Sequence, residues 1–288
     1  MSSKALDLIR ARRAVTPARR KQVGPIPRQL LPTGVQLDYY AALKPLLAMM
    51  RDTVARRLTA KLPEIVERAG IRADGPADDD FDYGSAVAEA VGEASAEVER
   101  GLSRQKMADI VRGIARKTST FGRRELAKQF KAGLGIDVMT LEPWLPKAIE
   151  GFTAENVSLI KSIPQQFFAQ VESEVIKGIR AGRRHERLAE SIQERFSVSE
   201  SRARLIARDQ VNKFNGELNR ARQSDLGITH FVWRTVGDNR VREKHEHLNG
   251  RRFSLKTGAN GLFPGQDVQC RCTAEPDIEG AMEALASR

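Results

Sequence analysis

The stretch WRTVGDNRVREKHEHLNGRRFSLKTGANGLFPGQDVQCRCTAE, residues 233–275, decides how the rest of the chain is read. It holds both cysteines, two of the four histidines and one of the two tryptophans among 288 residues. Residues 229–236 (THFVWRTV) are β-branched and aromatic, the composition that a pleated, half-buried strand favours. Gly237-Asp238-Asn239 supplies turn chemistry, since glycine tolerates positive φ and Asp and Asn bond their own backbone. Asn249-Gly250 ahead of residues 251–255 (RRFSL) predicts a hairpin, and a Gly/Asn/Pro-rich loop then leads to Cys270-Arg271-Cys272.

Upstream the pattern is helical. Leu37, Tyr40, Leu43, Leu46, Leu47, Met50, Val54, Leu58 and Leu62 form one apolar stripe, with a kink expected at Pro45 and a break at Pro63. Residues 70–83 (GIRADGPADDDFDY) read as an acidic linker, because the aspartates lack calcium-loop spacing. One helix is expected from Ser85 to Lys117 and a second, basic one from Ser119 to Leu134. Pro143 suits a first helical turn, and Ile160, Ile163, Phe167, Val171, Val175 and Ile179 mark a core-facing helix over 156–182. A short helix over 183–196 and a long one from a Ser199 N-cap to about Asp225 follow, an outline like a helix-turn-helix but without glycine in the turn. The expected fold class is α+β, a mostly helical N-terminal part followed by a small C-terminal α+β module with a short antiparallel sheet. The division is a basic, Pro-rich arm (1–35), an elongated helical region (36–150), the module (151–276) and a short tail (277–288).

Net charge is +11 and the isoelectric point about 9.9, so polyanions attract this chain. The charge is uneven: about +7 over residues 1–34, about +8 over 100–134 and about −9 over 73–99. The basic runs contain few aromatics, which favours phosphate contact with duplex DNA over base stacking. No apolar run reaches the ~18 residues of a membrane span, and no apolar leader follows the basic N-terminus. Two cysteines one residue apart cannot frame a disulfide scaffold, so the thiols are read as free or metal-bound.

His245, His247, Cys270 and Cys272 are the residue types of a zinc tetrahedron, with His245, Cys270 and Cys272 the strongest three. The alternative is packing: the two cysteines fill a strand face, His245 bonds a backbone carbonyl, and Arg240 and Arg242 pair with Asp238 or Asp267. His245-Glu246-His247 is not His-Glu-x-x-His, and no phosphate-binding loop occurs, so neither a metalloprotease helix nor an ATPase is indicated. No catalytic residue is assigned.

Asp238, Arg240, Val241, Arg242, His245 and Gly250, then Pro264-Gly265 and Cys270-Arg271-Cys272, resemble the C-terminal module of the phage Mu F-like minor head proteins. The helix carrying Ile206, Asp209, Gln210, Asn212, Asn215 and Arg220 is similar to the segment leading into that module. The resemblance spans about residues 155–276 and implies a loop-organising role for Asp238, Arg240, Arg242, His245, Gly250 and Arg271. Some members carry Cys-x-x-Cys where this chain has Arg242 and His245, and a His where it has Asp267, so the implied ligand set is depleted here. The family implies a non-enzymatic structural protein of the virion. It would be made in the host cytoplasm and act in head assembly at or near the portal vertex, in the head interior. Its implied partners are portal protein, major capsid or scaffolding protein and packaged double-stranded DNA, with no membrane. Two other readings follow: an internal DNA-binding virion protein ejected with the genome, and a zinc- or cysteine-dependent hydrolase using Cys270 and His245.

Overall fold

The computed structural model describes residues 25–70, 81–135, 142–278 and 280. Most of the N-terminal arm, the centre of the acidic linker and the end of the tail lie outside the described residues. The elements in order are α1 (Thr33–Arg57), a 3-10 turn (Thr59–Lys61), α2 (Leu62–Arg68), α3 (Tyr83–Gly101), α4 (Arg104–Leu134), α5 (Leu145–Arg180), α6 (His185–Asp225), β1 (His230–Arg234), α7 (Glu243–Glu246), β2 (Arg252–Ser254) and β3 (Thr273–Pro276). The expected class, helical first and then a small antiparallel sheet, is what the chain adopts.

Several boundaries differ from the sequence reading. Pro45 lies inside α1, while Pro63 sits in the first turn of α2, where its missing N–H costs nothing. The break expected near Ser119 falls instead at Leu102–Ser103, where the Ser103 hydroxyl accepts from the Lys106 N–H at 3.3 Å. Thr118 and Ser119 stay helical because their hydroxyls find partners: Thr118 bonds back to the Ile114 carbonyl at 2.9 Å, and Ser119 meets Arg222 at 2.7 Å. Asp82 rather than Ser85 caps α3, accepting from the Ser85 N–H at 3.0 Å. The turn expected at Ser197–Val198 is absent. Neither residue is Gly or Pro, and Phe196, Ser199 and Ala203 keep the buried stripe running, so α6 is continuous and the helix-turn-helix outline disappears.

The chain divides into two compact units, residues 38–111 with 153–207, and residues 1–37 with 112–152 and 208–288. The first is helical. Tyr39, Leu43, Leu46, Met50 and Val54 bury one face of α1, and the Tyr39 hydroxyl donates to Asn156 at 2.9 Å, both groups buried. Burial pushes the Tyr39 phenol well above its usual pKa.

The second unit holds the sheet. β1 is central, with order β2-β1-β3 and both pairings antiparallel: Phe231 opposes Phe253 and Pro276, and Trp233 opposes Ala274. Alternation turns Phe231 and Trp233 inward, both fully buried, and leaves His230, Val232 and Arg234 partly exposed. They pack with Leu126, Phe130 and Leu134 of α4, Leu226, Ile228, Cys270, Cys272 and Ala274. On the other face Arg234 grips Glu275 with two bonds of 2.7 and 3.1 Å.

Candidate functional site

Two loops converge on the end of β1. The first, residues 235–251, starts with Gly237 at φ +74° and ends with Gly250 at φ +75°, whose N–H donates to the Trp233 carbonyl at 2.8 Å. Its single helical turn, α7, turns His245 inward until only 2 % of the residue is exposed. Trp233 stands edge-on to the imidazole, ring centroids 5.5 Å apart.

The second loop, residues 256–272, is fastened to α6. Gly216 and Gly265 permit the closest approach: a β-carbon on Gly216 would meet the Pro264 carbonyl oxygen at 2.8 Å. Asp209 accepts from the Gln269 N–H at 2.7 Å, and Asn212 donates to the Cys270 carbonyl at 3.2 Å. Gln269 takes φ +58°, a conformation that side chains rarely adopt, and thereby turns the chain so that Cys270 and Cys272 both face inward.

The outcome is a buried His–Cys–Cys cluster. His245 Nδ1 lies 3.7 Å from Cys270 Sγ and 3.6 Å from Cys272 Sγ, and the three donor atoms all fall within 4.8 Å of one another. Among the described residues it is the only group of three or more His, Cys, Asp or Glu side chains placed to hold one ion. Behind it, His245 Nε2 faces Asp267 Oδ2 at 3.0 Å, and Lys244 reaches the same oxygen at 2.6 Å. The Lys244 bond, then the His245 bond, holds the Asp267 carboxyl below its usual range. Cys270 Sγ accepts from the backbone N–H groups of Gly265 and Cys272, each at 3.4 Å. The neighbouring Cys272 thiol, followed by these two N–H groups, lowers the Cys270 thiol to a pKa of about 6. Cys272 moves the opposite way, raised by its bond to Cys270 and by burial. The Trp233 Nε1–H beside the cluster is buried with no hydrogen-bond partner among the described residues. A small cleft, about 20 Å³, opens over the cluster between Val236, Arg240, Val241, Arg242, Gln269 and Arg271. That volume holds about one water.

The other candidate residues are placed differently from expectation. His247 is exposed, turned to Glu243 at 3.7 Å, and takes no part in the cluster. Asp238 accepts from the Arg240 backbone N–H, but the guanidinium that grips its carboxylate is that of Arg271, at 2.7 Å through Nη2. Arg242 donates to the Val268 carbonyl at 2.6 Å rather than to a carboxylate. The expected Arg240 and Arg242 ion pairs with Asp238 or Asp267 are therefore replaced by Arg271–Asp238 and Lys244–Asp267, and His245 meets a carboxylate instead of a carbonyl. Arg271, between two inward cysteines, necessarily points outward and across to the first loop.

Sequence reading missed the polar ladder on α6. Asn219 donates to Gln29 at 2.9 Å and to the Ala274 carbonyl at 3.0 Å, and Gln223 donates to the same carbonyl at 2.8 Å. Arg222, fully buried, binds Glu142 at 2.7 Å. The signal was present: Asn212, Asn215, Asn219 and Arg222 repeat at helical spacing beside the apolar stripe of Val211, Phe214 and Leu218.

Residues 169–275, covering most of α5's second half, α6, both loops and the sheet, match the family model of the Phage Mu protein F like protein. These residues form a phage Mu F-like module. Two relatives carry the likeness further. The chain is 31 % identical over 175 residues to an uncharacterized protein of Haemophilus influenzae, covering 59 % of this chain and 39 % of that protein. It is 26 % identical over 156 residues to the minor head protein GP7 of Bacillus phage SPP1, covering 49 % of this chain and 47 % of that one. The chain thus spans less than half the length of either relative. No solved structure matches it. The His–Cys–Cys cluster, the Arg271–Asp238 clamp and the α6 ladder all fall within the Mu F-like module or donate into it.

Proposed function

We propose that this chain is a structural minor head protein of a tailed phage, acting during head assembly at or near the portal vertex. The observation that carries the reading is the Mu F-like module over 169–275, together with a relative that bears the name minor head protein. The module's construction supports a rigid part of an assembly: its two long loops are fixed by close glycine approaches, the bidentate Arg271–Asp238 pair and the buried Asn212 amide bond to the Cys270 carbonyl. Portal, major capsid or scaffolding protein would be the protein partners, and no catalytic step is assigned to any residue.

Contact with packaged DNA is the second part of the reading, and α4 favours it. Arg116, Arg123, Arg124, Lys128 and Lys131 are exposed, and at 3.6 residues per turn they share one face over about 22 Å. Arg123 and Lys128 each also touch a carboxylate, Glu142 and Glu125. Cations in such a row meet phosphates without reading sequence, and binding should fall steeply with salt. Among the described residues no helix is long and apolar enough to cross a membrane.

The test is co-purification. Tagged chain should capture portal protein from phage-infected lysate, and deletion of residues 1–70 should abolish capture if the arm and α1 form the grip. Capture that is absent with the full chain contradicts the portal assignment. Separately, duplex DNA binding that is missing at low salt removes the DNA contact.

A further inference from the structure

We infer that His245, Cys270 and Cys272 hold a zinc ion that clamps the two loops of the module together. A zinc tetrahedron with sulfur at about 2.3 Å and imidazole nitrogen at about 2.0–2.1 Å has a nitrogen-to-sulfur edge of about 3.5–3.6 Å. The two edges here measure 3.6 and 3.7 Å. That spacing is close to what a shared ion imposes.

Three further features fit the metal. His245 presents Nδ1 to both sulfurs while its Nε2 faces the Asp267 carboxylate at 3.0 Å, which puts the ring proton on Nε2 and frees Nδ1 for a cation. Cys270 Sγ accepts two backbone N–H groups at 3.4 Å, an arrangement that favours thiolate over thiol. The ligands come from both loops, so one ion joins segments that the sheet alone leaves independent. The fourth position faces the small cleft beside Arg242 and Gln269, which has room for one water. Two thiolates and a neutral imidazole balance the charge of a divalent, thiophilic ion, and oxygen-seeking cations such as magnesium are disfavoured.

The experiment uses the full chain, purified without chelator. Elemental analysis should find one zinc per chain, and none in the Cys270→Ser/Cys272→Ser double variant at unchanged helical circular dichroism. Chelator-stripped wild-type protein should regain its higher Tm when zinc is added, a readout that does not depend on whether the variants fold. Cobalt in place of zinc should give thiolate-to-cobalt charge-transfer absorption, and Asp267→Ala should weaken zinc by about 10- to 100-fold. His247→Ala should leave stoichiometry at one. Absence of metal in the wild-type protein, with no binding or Tm rise on adding zinc, overturns the inference. So does zinc retained at one per chain in the double cysteine variant.

Discussion

The Asn219 side-chain amide donates to the carbonyl oxygen of Ala274 at 3.0 Å, tying the C-terminal end of α6 to the edge strand β3 across 55 residues of chain. Gln223, one turn on, donates to the same oxygen at 2.8 Å. A carbonyl with two lone pairs accepts both, and both donors are buried. The strand is therefore positioned by the helix as well as by its neighbour β1.

Redundancy of this kind predicts non-additivity. Asn219→Ala and Gln223→Ala each leave the Ala274 oxygen one donor, so each should cost about 1–2 kcal/mol. The double variant should lose about 1 kcal/mol more than the sum, because the oxygen is then buried without a partner from α6. Urea unfolding followed by Trp fluorescence measures this, Trp233 lying in the same core.

The Arg222–Glu142 pair should behave differently from the ion pairs at the surface. Both side chains are almost fully buried, 0 % and 2 % exposed. Glu142→Ala leaves a guanidinium in the core with the Ser119 hydroxyl but no carboxylate bound to it among the described residues, and should destabilise by about 3–5 kcal/mol. Arg123→Ala removes the exposed partner of that same carboxylate and should cost less than about 1 kcal/mol.

Much of this was legible in the sequence, and what was not has a physical cause. The strand within 229–236 and most of the α1 stripe were legible because alternation and 3.6-residue periodicity are local signals, but at the start of α1 it is Tyr39 that is buried, while Leu37 is exposed and Tyr40 only partly covered. The module family was also legible, because its residues recur in order within one window. The uninterrupted α6 was not, because a serine pair with no glycine resembles a cap until its burial is known. The pairing of Asp238 was not either: Arg240 and Arg242 are near in sequence, but Arg271, 33 residues away, faces it across the loops. Choosing among three arginines for one carboxylate requires the path of both loops.

Glycine substitutions should separate conformational strain from lack of space. Gly250 and Gly258 both adopt positive φ, +75° and +62°. A β-carbon on Gly250 meets open space, whereas on Gly258 it would stand 2.5 Å from the Leu262 carbonyl oxygen. Gly250→Ala should cost about 1–2 kcal/mol from the left-handed backbone alone. Gly258→Ala should cost clearly more, seen as a larger drop in Tm.

The α3 cap predicts a pH dependence of defined sign. Hydrogen bonds from the Ser85 side chain, then from its backbone, hold the Asp82 carboxyl below its usual 3.8. A folded-state pKa below the unfolded one means that the stabilisation is complete above about pH 4 and is lost as pH falls through the folded value. Asp82→Ala should therefore lower stability at neutral pH, and the gap to wild type should close in acid. A gap that is constant from pH 7 to pH 2 rules out the ionised cap.

The claim that this chain is a head component is tested most directly by mass spectrometry of purified phage particles and proheads from the phage that encodes it. The account predicts the polypeptide in proheads, at a copy number far below that of the major capsid protein. Its complete absence from both proheads and virions, with normal heads still formed when the gene is deleted, would contradict the account.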